Sequence, residues 1–263
     1  MTGKRTGMFK KCVKYAIILI LAVYSFTDSP NIGAIHSFSF HNYVTLFTTP
    51  ELIDMIIGSI ALAIGSAVLA TILGTTGAIG AFYSKKNVNG TMSVLNQIPV
   101  VNADVVTGFS LCILLVVVFG ISKNTYIPLI IGHTVLSAPF VYLAVVPKLK
   151  QMDPSLYEAA LDLGATPGYT LIHIIIPQIA SGIISGFVMA VTLSLDDYFV
   201  ATYTKPATFD TISTYVVNAT KGSQTNIKTA LWALSTIIFL IVVIVEVVMN
   251  FAPIKNEAQK EKH

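Results

Sequence analysis

Long apolar segments, separated by short polar ones, are the feature of this sequence that most constrains its fold. Of 263 residues, 54% are hydrophobic and only 11% are charged, and the mean hydropathy is +0.75. The apolar residues come in blocks rather than in amphipathic stripes, which argues against a soluble domain. Blocks of about 20 residues are the length that an α-helix needs to cross a bilayer. The sequence therefore predicts an all-α integral membrane protein, a single domain over residues 1–263, with six transmembrane helices at about 15–26, 56–83, 92–121, 126–146, 171–195 and 230–251.

The first apolar run follows five basic residues, as it does in a signal peptide. No cleavage site with small residues follows it, since the segment from Tyr24 to Asp28 has the wrong composition. We therefore expect this run to be retained as an anchor and as the first span.

The basic residues set the predicted orientation. With the N-terminus inside and six spans, twelve of the sixteen Lys and Arg residues fall in inner segments and four in outer segments. This distribution agrees with the positive-inside rule. Both termini are therefore predicted to be cytoplasmic, and so is the polar loop at residues 148–170, between the fourth and fifth spans.

That loop contains the signals of a short helix. Ser155, followed three residues later by Glu158, has the spacing of a capping box. Gly164 supplies a left-handed stop, and Thr166-Pro167 is typical of the start of a second helix. These features alone fit a plain connecting helix at the membrane surface as well as they fit a functional element.

An apolar stripe along the same helix favours contact with another protein. Its members have the i, i+3, i+4, i+7 spacing of one helix face, and they are Leu156, Ala159, Ala160 and Leu163. We expect the two alanines to leave a shallow surface onto which a partner can dock closely.

The spacing of these residues resembles the EAA loop of ABC importer permeases. The family pattern is E-A-A-x3-G-x9-I-x-L-P, and here it begins at Glu158, places Gly164 at its glycine and ends at Pro177, with Ile176 in place of leucine as the sole departure. In that family the loop forms a coupling helix that seats in a cleft of the ATP-hydrolysing subunit. The resemblance implies that coupling to the ATPase involves Glu158, Ala159, Ala160, Leu163, Gly164 and Pro177.

Four acidic residues fall inside the predicted spans or directly follow one of them. They are Asp104, the Asp196-Asp197 pair and Glu246, whereas all sixteen Lys and Arg lie outside the spans. Because a charge inside a bilayer is costly, such residues indicate function, and a path lined by carboxylates favours a cation. Asp104 follows a proline-interrupted stretch, as in the broken helices that frame midplane sites, and the ring of Tyr198 could hold a cation. The alternatives are a helix cap for Asp104, an outer-surface turn for the aspartate pair and an interfacial position for Glu246.

A narrower resemblance covers nearly the whole chain. The permeases of spermidine/putrescine importers, and more particularly their second permease subunit, are similar to it in the segments Ser25–Thr27, Asn102–Val105, Leu156–Gly164 and Leu193–Asp197. The resemblance implies the type I ABC importer permease fold and a role in ATP-driven uptake of a polyamine across a bacterial inner membrane. The implied partners are a second permease subunit, two copies of an ATPase and an extracytoplasmic substrate-binding protein.

Several motifs that would indicate other functions are absent from the sequence. No G-x4-G-K-[ST] phosphate loop occurs, so ATP and Mg are expected on the partner ATPase and not on this chain. No G-x-S-x-G or H-E-x-x-H motif occurs either, and His36, His41, His133 and His173 are scattered without ligand spacing. We therefore expect no enzyme activity and no metal site, and the net charge of +3 does not suggest nucleic acid. Two alternatives stay open: the same type of ABC permease for another solute (thiamine, iron or another amine), and a carrier driven by an ion gradient. A membrane enzyme is a third class, for which the sequence offers no catalytic set.

Overall fold

A computed structural model of the chain describes residues 20, 22–27, 38–153, 155–221, 231–240 and 243. They form two compact units, one within residues 1–57 and 215–263 and the other within 58–214. No β-strand occurs in these described ranges, where the only β pairing is an isolated bridge between Thr27 and Phe38. The all-α prediction is confirmed.

The helices follow one another with short connections. In chain order they are α1 (His41–Thr48), α2 (Pro50–Tyr83), α3 (Lys86–Val101), α4 (Asp104–Cys112), α5 (Ile127–Gln151), α6 (Ser155–Asp162), α7 (Pro167–Thr170), α8 (Ile176–Asp196), α9 (Phe199–Thr204), α10 (Ile212–Lys221) and α11 (Leu231–Leu240). A π-helical turn, Ile113–Val118, continues α4, and a second one, Leu171–Ile175, joins α7 to α8.

Three helices of the described part of the chain are long and apolar enough to cross a membrane: Pro50–Tyr83, Ile127–Gln151 and Pro167–Asp196. They correspond to the predicted second, fourth and fifth spans. Each is longer than predicted, since α2 already begins at Pro50 and α5 continues to Gln151. Only half of the predicted first span and half of the predicted sixth span are described, so the count of six spans, the single domain and the cytoplasmic termini stay predictions.

The predicted third span, 92–121, is a broken helix, as the proline-interrupted stretch before Asp104 indicated. α3 ends at Val101, α4 begins at Asp104, and the two are bent by 104° at the break. Asn102 and Ala103 between them have extended backbones, with ψ of 149° and 134°. Pro99, in the last turn of α3, has no N–H to continue the helical ladder. Asp104 therefore starts a new helix instead of lying part-way along a straight one.

The core of residues 58–214 lies where α2, α5 and α8 meet. Alanines of α2 pack there against larger side chains of the other two helices, and the cluster includes Ala67, Ala70, Ala78, Val141, Tyr142, Val145, Leu149, Ile179 and Ala190. At Gly74 a Cβ would lie 2.7 Å from both the Ala138 carbonyl oxygen and the Val141 Cβ. Because lipid is as apolar as these side chains, close packing between small residues is what holds membrane helices together.

Asn42, in α1, organises the described part of residues 1–57. Its Nδ2 donates hydrogen bonds to the carbonyl oxygens of Ser25 (2.9 Å) and Thr27 (3.0 Å). Phe26 stacks on Phe38, with ring centroids 5.0 Å apart. Asn42 thereby fixes the short α1 against the backbone that precedes it.

Candidate coupling loop and substrate path

Asp153 caps the start of α6. Its Oδ1 accepts hydrogen bonds from the backbone N–H of Ser155 (2.9 Å) and from the Ser155 hydroxyl (2.7 Å). These two bonds lower the pKa of the Asp153 carboxyl, and the bond from the backbone N–H has the larger effect. Ser155 is already helical, so the predicted capping box with Ser155 as the cap is wrong: the residue two positions earlier takes that role. Since the pKa is lowered, the contribution of this cap is present at neutral pH and is lost as the pH falls through that pKa.

Gly164 ends α6 as predicted. Its φ is +85°, a conformation that glycine adopts without strain. The N–H of Gly164 binds the Leu161 carbonyl at 2.9 Å, and the N–H of Ala165 binds the Ala160 carbonyl at 3.1 Å. These two bonds form a Schellman motif. Thr166 then caps α7, because its Oγ1 accepts from the N–H of Tyr169 at 3.4 Å, so the predicted second helix start is confirmed.

The two alanines of the loop differ in exposure. Ala160 is only 6% exposed, whereas Ala159 is exposed. Leu163, which directly follows α6, is 89% exposed, and Glu158 of α6 is exposed as well. The predicted docking surface of two alanines is therefore wrong for Ala160, which faces the protein.

Pro177, the last residue of the family pattern, lies on the next long helix and not on α6. It is the second residue of α8 and is exposed, directly after the π-helical turn Leu171–Ile175. Since a proline has no N–H to donate, it is well tolerated in the first turn of a helix. The chain thus runs from the coupling loop into α8 through the one-turn helix α7 and the π-helical turn.

The three predicted aspartates lie near one another in the structure, but they differ in exposure to solvent. Asp104, the first residue of α4, and Asp196, the last residue of α8, are exposed. Both lie within electrostatic range of Asp197, which is 8% exposed. Tyr198 is half-buried, with its ring 5.2 Å from that of Phe199. Glu246 lies outside the described residues.

Both carboxylate oxygens of Asp197 accept hydrogen bonds from the backbone. Its Oδ1 accepts from the N–H of Val200 (3.2 Å) and its Oδ2 accepts from the N–H of Ala201 (2.8 Å). These are free N–H groups at the start of α9, so Asp197 acts as the cap of that helix. Of the three carboxylates, Asp104 and Asp196 are the ones free to face a solute.

A buried histidine that the sequence interpretation dismissed contacts this group. His133, in α5, is fully buried, and its Nδ1 lies 2.8 Å from the Ser194 Oγ. Ser194 Oγ is in turn 3.3 Å from the Ser66 Oγ, and His133 Nε2 is 3.6 Å from the Asp197 Oδ2. The search for metal-ligand spacing missed this residue. The useful signal was its position, since an ionisable side chain inside a predicted span indicates function by itself.

Comparison with known proteins decides the family. Residues 74–252 match the binding-protein-dependent transport system inner membrane component. The chain belongs to this family. Such a transport component lies in a membrane and crosses it several times, as the long apolar helices require.

The relatives of this inner membrane component include named polyamine permeases. The putrescine transport system permease protein PotI of Escherichia coli (strain K12) is 32% identical over 195 residues, which cover 72% of this chain and 69% of that protein. The spermidine/putrescine transport system permease protein PotC of Haemophilus influenzae is 30% identical over 234 residues, covering 88% and 89%.

Solved ABC transporters share the fold of this inner membrane component. The crystal structure of a bacterial ABC transporter that imports the acidic polysaccharide alginate matches with a TM-score of 0.65 and 18% identity, over 95% of this chain and 97% of that one. A complex of an alginate transporter with its periplasmic protein matches with a TM-score of 0.64 and 18% identity, over 92% and 93%. The fold is that of a type I ABC importer permease. Within the described ranges, no set of three or more His, Cys, Asp or Glu residues, the aspartate group included, has the arrangement of a metal site.

Proposed function

We propose that this chain is the permease subunit of an ATP-driven polyamine importer, and that it forms the membrane path for spermidine or putrescine together with a second permease subunit. The fold does not select the solute, since a related fold serves a transporter of an acidic polysaccharide. The choice is supported by the relatives PotI and PotC. It is carried by the grouping of Asp104, Asp196 and Asp197.

The geometry of the three aspartates fits a flexible polycation. Two exposed carboxylates beside a buried third create a local negative potential, which attracts ammonium groups and repels anions. Asp104 and Asp196 belong to different helices, so a linear polyamine with two or more ammonium groups can contact both. A monovalent amine can contact only one of them at a time.

We infer that the energy enters through α6. The proposed contact surface for the ATPase is made of the exposed residues Glu158, Ala159 and Leu163. Ala160 anchors the helix to the protein, and Gly164 sets the turn that presents Leu163. ATP and Mg are bound by the partner ATPase, present in two copies, and an extracytoplasmic binding protein delivers the polyamine to the permease pair in a bacterial inner membrane.

Reconstitution tests this function directly. The permease pair and ATPase are placed in proteoliposomes, and the binding protein is supplied with spermidine, putrescine, thiamine or no solute. We expect the two polyamines to raise ATP hydrolysis and to be taken up only when ATP is present. Uptake that needs an ion gradient and no ATP would instead identify a secondary carrier, and stimulation by thiamine alone would identify a different cargo.

Cysteine crosslinking tests the docking surface. In a variant without Cys12 and Cys112, Leu163→Cys should crosslink to the ATPase, because that side chain is 89% exposed. Ala160→Cys, three residues earlier in the chain but 6% exposed, is the matched control and should not. Equal crosslinking of both positions, or of neither, contradicts the proposed orientation of α6 on the ATPase.

A further inference from the structure

Buried polar side chains on three membrane helices lie in a row that leads to the aspartate group. The row runs from Ser66 on α2 through Ser194 on α8 to His133 on α5, with Oγ–Oγ and Oγ–Nδ1 distances of 3.3 Å and 2.8 Å. From His133 it continues to Asp197, 3.6 Å from Nε2. Every side chain in it is buried. A row of polar side chains at such a position carries a desolvation cost that an apolar replacement would avoid.

The electrostatics orient the imidazole. A lone pair on Nε2 facing the Asp197 carboxylate would be repelled, whereas an N–H at that position is attracted. The proton of the neutral ring is therefore favoured on Nε2, and Nδ1 then accepts from the Ser194 hydroxyl. Nε2 makes no hydrogen bond with any described residue, and its contact with the Asp197 carboxylate, at 3.6 Å, is electrostatic. The hydrogen bond to Ser194 holds the ring with Nε2 on the side of Asp197.

The position of Asp197 in turn sets the position of α9. Asp197 binds the first free N–H groups of that helix. α9 packs closely on two neighbours: a Cβ at Gly108 of α4 would be 2.9 Å from the Val200 Cα, and a Cβ at Gly132 of α5 would be 2.8 Å from the Val200 Cγ1. A shift of α9 is therefore transmitted to α4, whose first residue is Asp104.

We propose that His133 is a positioning residue of the substrate path: it orients the Asp197 carboxylate, and through α9 it fixes the relative placement of Asp104 and Asp196. This inference rests on the proposed function in one respect, the assignment of Asp104 and Asp196 to the path. The inference adds to the substrate path a residue that contacts no solute. It also gives a reason why buried polar side chains, which are costly to desolvate, lie next to the acidic group.

Two substitutions separate the halves of the imidazole. His133→Gln places an amide N–H near the position of Nε2, within reach of Asp197. His133→Asn places its amide near the position of Nδ1, within reach of Ser194 and short of Asp197. Ser137→Ala is the matched control, since Ser137 lies one turn further along α5, is fully buried and has an Oγ without a hydrogen-bond partner among the described residues.

A crosslinking assay measures the placement of α9 against α4 and needs no solute. Phe109 and Tyr203 have ring centroids 5.6 Å apart, so Phe109→Cys with Tyr203→Cys, in the variant without Cys12 and Cys112, reports this contact through a short thiol crosslinker. The assembled transporter in proteoliposomes also gives KM and maximal rate for spermidine uptake. We expect His133→Asn and His133→Ala to reduce the crosslink yield and to raise the KM by about threefold to tenfold with a smaller change in maximal rate. His133→Gln and Ser137→Ala should resemble the unmodified protein.

The outcomes distinguish this inference from the proposed function. An unchanged crosslink yield in His133→Asn overturns the positioning role, and so does an equal loss in the Asn and Gln variants, because the ring's packing would then be what matters. If His133→Ala fails to assemble, the comparison of Gln with Asn decides. A reduced crosslink yield with an unchanged KM supports the positioning of α9 and contradicts the placement of Asp104 and Asp196 in the path.

Discussion

The ring of Tyr157, on α6, lies 4.9 Å from the ring of Tyr83, the last residue of α2. Tyr157 also packs against the core formed by α2, α5 and α8. The proposed coupling helix is therefore attached to the membrane helices in two ways: by the chain itself, to α5 and α8, and by this aromatic contact, to α2. An aromatic pair contributes about 0.5–1.5 kcal/mol beyond its buried area.

Removal of the ring should weaken this attachment of α6 to α2. We expect Tyr157→Ala to lower the amount of solute transported per ATP hydrolysed, because a loss of about 0.5–1.5 kcal/mol lets α6 move without α2. The measurement is uptake and hydrolysis in the same proteoliposomes. Tyr157→Phe, which keeps the ring, is the control, and a Phe variant as uncoupled as the Ala variant would count against the ring contact.

Gly164 should be sensitive to substitution for a backbone reason. At φ +85° any other residue is strained, by about 1–2 kcal/mol, although no atom lies within 4 Å of the Cβ position. We expect Gly164→Asp to leave insertion intact and to uncouple transport from ATP hydrolysis, since the strain and the added charge both change the surface beside Leu163. Transport and hydrolysis rates in proteoliposomes measure this.

Gly168 provides a matched control in the same loop. Its Cβ position is equally open, and its φ is not in the left-handed region. Gly168→Asp should therefore retain most coupling. If both variants behave alike, added charge alone explains the effect and the turn at Gly164 has no special role.

The sequence predicted the coupling loop well because its signals are local. The stop at Gly164 and the cap at Thr166 each depend on residues within five positions, and the structure confirms both. The start of α6 was missed by two residues for a similarly local reason: Asp153 and Ser155 are both good capping residues. Sequence alone does not show which of the two residues caps the helix.

The sequence could not predict features that depend on distant contacts. Pro99 marked an interruption, but the 104° bend beyond it is accompanied by close packing of α4 on α9, which no local pattern encodes. Asp196 and Asp197 are adjacent and chemically identical, yet one is exposed and the other is buried as a cap, because α8 ends between them. His133 finds its partners on other helices, so the sequence placed it inside a predicted span and showed none of its contacts.

The adjacent aspartates should respond differently to substitution. We expect Asp196→Asn to weaken spermidine uptake while the complex with the ATPase still assembles, because an exposed carboxylate that attracts the solute is lost. Asp197→Ala should instead destabilise the subunit by about 0.5–2 kcal/mol, the usual cost of removing a helix cap. Uptake kinetics and thermal unfolding of the purified complex distinguish the two. Equal loss of uptake and assembly in Asp196→Asn would assign that residue a structural role.

Two glycines of α2 should differ because only one of them lies against another backbone. At Gly74 the Cβ of an alanine would be 2.7 Å from the Ala138 carbonyl oxygen, an atom of α5 that cannot move without shifting the helix. We expect Gly74→Ala to force α2 and α5 apart and to destabilise the complex by about 1–3 kcal/mol. At Gly80 nothing lies within 4 Å, so Gly80→Ala should change stability by less than about 0.5 kcal/mol. Thermal unfolding of the two variants, prepared side by side, measures the difference. A stable Gly74→Ala variant would mean that α2 and α5 do not pack at this distance in the membrane.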